Sequence, residues 1–266
     1  MKHRLDITLL LFLLFLTAHF VGILILNHYN IKKELPYNIQ PPETREKTSF
    51  LSIFLVLLIT TAIALFLIKF KALRLWKLWF FFSILIALSI AFSSFLNSKV
   101  AFAIALVLSA WKILKPNVIL HNFTEIFIYG GLSALFVPIL NLFSIIMLLI
   151  LISVYDFIAV YKTKHMIKMA KFQIKSKIFT GLSLPYERKK EKVSAILGGG
   201  DIAFTLLFSG VILREFGLLE AFITSFVISI SLLILLFLGK KNKFYPAMPI
   251  LTAGCFLGLL IIKLLF

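Results

Sequence analysis

Apolar residues dominate this chain in long unbroken runs, separated by short segments where lysine, arginine, proline and asparagine collect. The runs approach the ~20 residues that cross about 30 Å of hydrocarbon as a helix. They are continuous rather than alternating, so the pattern predicts membrane helices and not a barrel. Nine spans follow: residues 6–27, 49–69, 75–96, 99–115, 117–137, 139–161, 194–214, 218–239 and 246–264. Lys112, Lys115 and Pro116 separate the fourth from the fifth, and Pro138 and Asn141 mark the turn before the sixth. The predicted fold class is an all-α polytopic membrane protein. Residues 1–161 form a six-helix N-terminal part, 162–193 a basic loop and 194–266 a three-helix C-terminal part, together one integral membrane domain.

Composition agrees. The chain of 266 residues is 61% hydrophobic and 15% charged, against roughly 45–50% and about 25% for soluble domains. The start, Met1-Lys2-His3-Arg4 and then an apolar run from Ile7 to Leu26, has the outline of a signal peptide. The run is too long for a signal core and no small-x-small cleavage site follows, so it reads as a retained first span.

The net charge of +17 does not imply nucleic acid, because the positive residues lie in short segments between apolar spans. With the N-terminus in the cytoplasm, 21 of the 28 Lys and Arg fall on inner segments, which places the C-terminus outside. The inner count includes Lys112 and Lys115, Lys240, Lys241 and Lys243, and ten residues from Lys162 to Lys192. In that long loop Met166, Ile167, Phe172, Ile174 and Ile178 offer an apolar face to the membrane surface. The single cysteine, Cys255, excludes an intrachain disulfide, and five scattered His without a His-Glu-x-x-His pattern argue against a zinc protease. No metal or cofactor is expected.

The chemistry concentrates in two aspartates placed inside apolar spans, Asp156 and Asp201; the third, Asp6, lies near the N-terminal membrane edge. An intramembrane carboxyl group is expensive and marks function by default. Spans six and seven run antiparallel, so both carboxyl groups reach a similar depth on the inner side. Such a pair shares one proton and titrates as a unit. One carboxylate then activates water while the other donates to a carbonyl oxygen, a route for peptide hydrolysis without metal or covalent intermediate. Hydrolysis also calls for a water-accessible cleft near both groups. A proton or cation relay in a transporter uses the same carboxylates, although no inverted repeat is visible.

Two further segments accompany the pair. Gly198-Gly199-Gly200 directly precedes Asp201 and loosens the helix start for close backbone approach. Pro246-Ala247-Met248-Pro249 opens span nine and disfavours helix before each proline, so an extended segment is expected at the inner edge.

Tyr155-Asp156, Gly198-Gly199-Gly200-Asp201 and Pro246-Ala247-Met248, in this order on spans six, seven and nine, resemble the three signatures of the presenilin and signal peptide peptidase family. That resemblance implies an intramembrane aspartyl protease that cleaves single-span membrane substrates, with Asp156 and Asp201 as the catalytic pair. It also implies that Tyr155 flanks the first aspartate and that Gly198, Gly199 and Gly200 position the second. Pro246, Ala247, Met248 and Pro249 would shape the cleft and bind substrate. Met248 stands where the family pattern has leucine, a swap of similar volume. The variable position of the Gly-x-Gly-Asp pattern is Gly199, which predicts an unusually flexible turn. The orientation and Pro249 resemble the presenilin branch in a compact microbial form.

The remaining polar positions read as structural. Glu125 is expected to pair with His121 four residues earlier. His19 reads as a satisfied packing histidine, and Arg214, Glu215 and Glu220 as solvated. Asn122-Phe123-Thr124 matches a glycosylation triplet inside a span, where it is not modified. Gly254-x-x-x-Gly258 predicts close packing against another helix of the chain or a second protomer, leaving a homo-oligomer open.

Overall fold

A computed structural model describes residues 4–41, 48–70, 72–163, 166, 169, 172–173, 179–188, 191–239 and 245–266. Nine α-helices occur among them: α1 (Leu5–Lys32), α2 (Ser49–Lys69), α3 (Leu73–Ser93), α4 (Ser98–Leu114), α5 (Val118–Phe136), α6 (Leu142–Phe157), α7 (Gly199–Glu215), α8 (Leu218–Leu238) and α9 (Met248–Leu265). Seven are long and apolar enough to cross a membrane. The other two, α4 and α7, have 17 residues each, or roughly 25 Å of rise, about a turn short of the hydrocarbon thickness. The chain is thus a multi-pass membrane protein.

Asparagine sets three of the helix starts. The side chains of Asn97, Asn117 and Asn141 accept from the backbone N–H of Lys99 (3.0 Å), Ile119 (2.8 Å) and Ser144 (2.8 Å). Each satisfies a donor that the helix itself leaves open. Arg214 is an anchor rather than a solvated charge. Its guanidinium donates to the carbonyls of Val137 (3.0 Å), Pro138 (3.2 Å) and Leu140 (2.6 Å) in the turn before α6, and also reaches Glu215.

The interior centres on α1, which packs against α5, α7 and α8. Phe15, Ile23, Ile25, Leu148, Leu149 and Phe208 are fully enclosed there. A smaller cluster, with Ile84, Leu88, Ala101 and Ala105, joins α3 to α4. By contrast α2 is mostly exposed and touches α6 through the ring pairs Phe50–Phe143 and Phe54–Tyr155. Gly254 and Gly258 press against Ser231, Ile228 and Thr224 of α8, so the small-residue pattern of α9 is used within the chain.

The basic segment before α7 holds an element that the helical reading leaves out. Strands β1 (Gly181–Arg188) and β2 (Glu191–Gly198) form an antiparallel hairpin, with Leu182 opposite Leu197 and Leu184 opposite Ala195. Those four side chains are buried and make one face, which lies on the helices. The hairpin straddles the boundary expected at residue 193, and α7 starts at Gly199 rather than 194. The reason is a period of two in Leu182-Ser183-Leu184 and again in Val193 to Leu197. Of the apolar face expected on the long loop, Phe172 sets its ring against Trp76 of α3, while Ile167, Ile174 and Ile178 lie outside the described residues. So do Lys2, Arg45, Lys47, Lys71, Lys189, Lys190, Lys240, Lys241 and Lys243, and the lysines from Lys164 to Lys177.

Candidate functional site

Asp156 ends α6 and is buried, 4% exposed. Directly after it the chain runs on as one π turn, Ile158–Lys162, a local widening frequent at functional sites. The carboxylate of Asp156 accepts the backbone N–H of Met248 at 3.1 Å. The segment Pro246–Met248 is buried with it. Ala247 has helical dihedrals and Met248 begins α9, with Pro249 in its first turn, a position where proline's missing donor is not needed. The stretch is therefore not extended throughout, as the prolines had suggested. The Met248 N–H is instead turned onto Asp156. Tyr155 points away, ring to ring with Phe54 of α2.

Asp201 lies in the first turn of α7, where open backbone donors favour an anion. Its carboxyl group lies beside Gly198 and within electrostatic reach of Asp156. Asp201 is the third residue of the helix and faces back toward the N-cap, Gly198. One turn on, the Thr205 hydroxyl lies 2.6 Å from the Asp201 carbonyl and 3.0 Å from Nε2 of His19, while His19 Nδ1 is 3.0 Å from the Phe15 carbonyl. His19 is a satisfied packing residue, and what it fixes is α1 against the Asp201 turn.

The three glycines differ. A Cβ on Gly198 would stand 3.2 Å from Asp201 Oδ2, and one on Gly199 would stand 2.8 Å from the Tyr129 hydroxyl and 3.3 Å from the Thr180 carbonyl carbon. A Cβ on Gly200 meets only Phe204, at an ordinary 3.7 Å. Gly199 is buried and its N–H donates to Thr180 O at 3.1 Å. The turn at the pattern's variable position is thus closely packed rather than flexible.

Beside this turn lies a polar cluster that the sequence reading assigned otherwise. Lys112 is not a loop charge: it is 6% exposed and its Nζ sits 2.6 Å from Glu125 Oε1 and 2.7 Å from Thr124 Oγ1. Glu125, 1% exposed, pairs with Lys112 and not with His121. Its Oε2 accepts the Tyr129 hydroxyl and the N–H of Gly181, the latter at 3.0 Å. His121 Nε2 donates to the Gly181 carbonyl at 2.7 Å. Asn122 exchanges two bonds with Ser183, accepting its N–H (3.0 Å) and donating to its carbonyl (2.8 Å). The glycosylation triplet is therefore a splint between α5 and β1. Acidic and basic residues at nearly one helical turn on α5, facing a glycine-led alternating stretch, were the available signal.

Two cavities are prominent, and neither is lined by Asp156 or Asp201. One of about 300 Å³ lies between the α4–α5 turn and the hairpin, beside Lys112, His121 and Ser183. Another of about 680 Å³ lies at the far end of α1, beside Tyr29, Leu35 and Arg214. Among the described residues no group of three or more His, Cys, Asp or Glu is placed to hold a metal ion.

A comparison with curated protein sequences finds no match. Two crystal forms of a presenilin family intramembrane aspartate protease share the fold. The C222 form superposes with a TM-score of 0.69 at 19% identity, covering 97% of this chain and 99% of that one. The P2 form gives 0.67 at 19% identity, covering 96% and 97%. The family described as signal-peptide peptidase, presenilin aspartyl protease matches residues 12–266. With that match over nearly its whole length, the chain belongs to the signal-peptide peptidase and presenilin family of aspartyl proteases.

Proposed function

We propose that Asp156 and Asp201 together hydrolyse peptide bonds in single-span membrane proteins, within or near the bilayer. The observation that carries this reading is the convergence of three segments distant in sequence. Backbone N–H of Met248 holds Asp156 at 3.1 Å, and Asp201, beside Gly198 in the first turn of α7, lies within electrostatic reach of Asp156.

With one proton between the two carboxyl groups, the ionised group takes a proton from water as the hydroxide oxygen adds to the scissile carbonyl carbon. The protonated group gives its proton to the carbonyl oxygen. The resulting diol collapses: one of its hydroxyls gives its proton to the now ionised carboxylate as the C–N bond breaks, and the leaving nitrogen takes the proton held by the other, which returns the pair to one shared proton. Which aspartate begins protonated is a property of the pair. Both termini of the pH range stop the cycle, since a doubly ionised pair has no acid and a doubly protonated pair no base. Activity should trace a bell; a flat profile contradicts the mechanism.

In this reading Tyr155 and Gly198, Gly199 and Gly200 support the two aspartates. Pro246, Ala247, Met248 and Pro249 shape the place where substrate meets Asp156. All nine helices span, six in residues 1–161 and three in 194–266, with the 162–193 segment and the N-terminus on the cytoplasmic side and the C-terminus outside. The lysine and arginine distribution supports that orientation.

The test is cleavage of a fluorescent single-span reporter by purified protein beside Asp156→Asn and Asp201→Asn. Both variants should fold and lose product. Full proteolysis by either one removes the assignment; ion flux through vesicles in place of cleavage would return the carboxylates to a relay.

A further inference from the structure

We propose that Lys112, Glu125 and Tyr129 form a positioning device for Asp201, acting through Gly181 and Gly199 without touching substrate. The inference rests on the reading of Asp156 and Asp201 as the catalytic pair.

Asp201 is two residues past Gly199, the first residue of α7, so the start of α7 places its carboxyl group. Gly199 N–H is tied to Thr180 O, and Thr180 adjoins Gly181. Gly181 is held from both sides by α5: Glu125 Oε2 takes its N–H and His121 Nε2 donates to its carbonyl. Its φ of +131° and the close approach of Leu197 O leave no room for a side chain. The same Glu125 oxygen takes the Tyr129 hydroxyl, and that hydroxyl fills the space where a side chain on Gly199 would begin. One carboxylate therefore ties α4, α5, β1 and, through Tyr129, the first residue of α7.

The residue types fit this task. Glu125 faces three donors, namely Lys112 Nζ, Tyr129 OH and Gly181 N–H. A carboxylate accepts all of them, whereas an amide would turn its NH₂ toward a donor. Lys112 neutralises the buried charge, so the cluster adds no net charge beside the aspartate pair. A buried ion pair is a poor means of stability, because well-packed apolar residues do as well. What it supplies is directed bonds at the junction of strand and helix, where a displacement of about 1 Å can cost a hundredfold in rate.

The experiment measures kcat, KM and melting temperature on the single-span reporter for wild type, Asp201→Asn, Tyr129→Phe and the double variant Lys112→Met with Glu125→Gln. Tyr129→Phe keeps the ring and removes the hydroxyl. The double variant leaves no unpaired buried charge. Both should fold, hold KM within about twofold and lose roughly tenfold or more in kcat, the scale of a misplaced reacting group. Unchanged kcat in either folded variant overturns the proposal. So does a fall in melting temperature with kcat of the folded fraction preserved, which would assign the cluster to stability alone. An active Asp201→Asn would overturn the underlying reading instead, so the two failures are told apart.

Discussion

The two aspartates sit in unlike surroundings. Asp201 belongs to the tightly packed side of the molecule, where α1, α5 and α7 meet through Leu206, Gly22 and Tyr129 and where His19, Thr205 and the Glu125 cluster fix successive turns. Asp156 belongs to the lightly packed side. Its helix ends in a π turn, its neighbour α2 is little buried and its hydrogen-bond partner is a backbone donor at the start of α9. The contrast teaches that the pair combines a member tied by a side-chain network with one held by a backbone donor from α9. In a bilayer, where lipid offers helices the same apolar contact as protein, packing quality rather than burial sets such differences.

The largest effect should ignore the contrast. Asp156→Asn and Asp201→Asn should each lower kcat by about a thousandfold or more, since acid–base roles contribute 10²–10⁴. A variant that loses less than tenfold would show that the two are not partners. Next comes packing. Phe15→Ala, on the enclosed side, should cost about 3 kcal/mol in a denaturant titration, and Phe54→Ala on α2 below about 1 kcal/mol; equal losses would erase the distinction. Within the glycine run, Gly199→Ala should destabilise by about 2 kcal/mol, while Gly200→Ala should stay within about 0.5 kcal/mol. Melting temperatures of the two variants decide this, and the reverse order would contradict the contacts at Tyr129. The smallest effect concerns the Asp156 side: Ser153→Ala removes a 2.8 Å bond to Thr252 of α9 and should cost about 0.6 kcal/mol. A much larger loss would mean that α6 and α9 are held as firmly as the other side.

Most helices were legible because continuous apolar runs fix them by length alone. The two aspartates were legible for the same reason, since a lone carboxyl stands out against hydrocarbon. What escaped was polar structure inside polar context. Lys112 looked like loop charge because Lys115 and Pro116 follow it, and only the helix across from it reveals Glu125 as its partner. The hairpin was hidden because Gly181–Arg188 and Glu191–Gly198 sit within or beside a lysine-rich stretch, which masks a period of two. Gly199 looked permissive because composition reports freedom, whereas the hydroxyl of Tyr129, seventy residues earlier, takes that freedom away.

The clamp on Gly181 also has a history in time. Lys112, His121, Asn122, Glu125 and Tyr129 leave the ribosome about sixty residues ahead of Gly181 and Ser183, several seconds at 5–20 residues per second. Until then His121 and Asn122 lack the backbone they later bind, whereas Glu125 already has Lys112 on the preceding helix. A lone charge near a helix centre costs about 2.5–3.5 kcal/mol on insertion, so α4 and α5 are best delivered to the bilayer as a neutral pair. The two charges that meet in the ion pair thus lie on consecutive helices, both made before the strand they later help to hold.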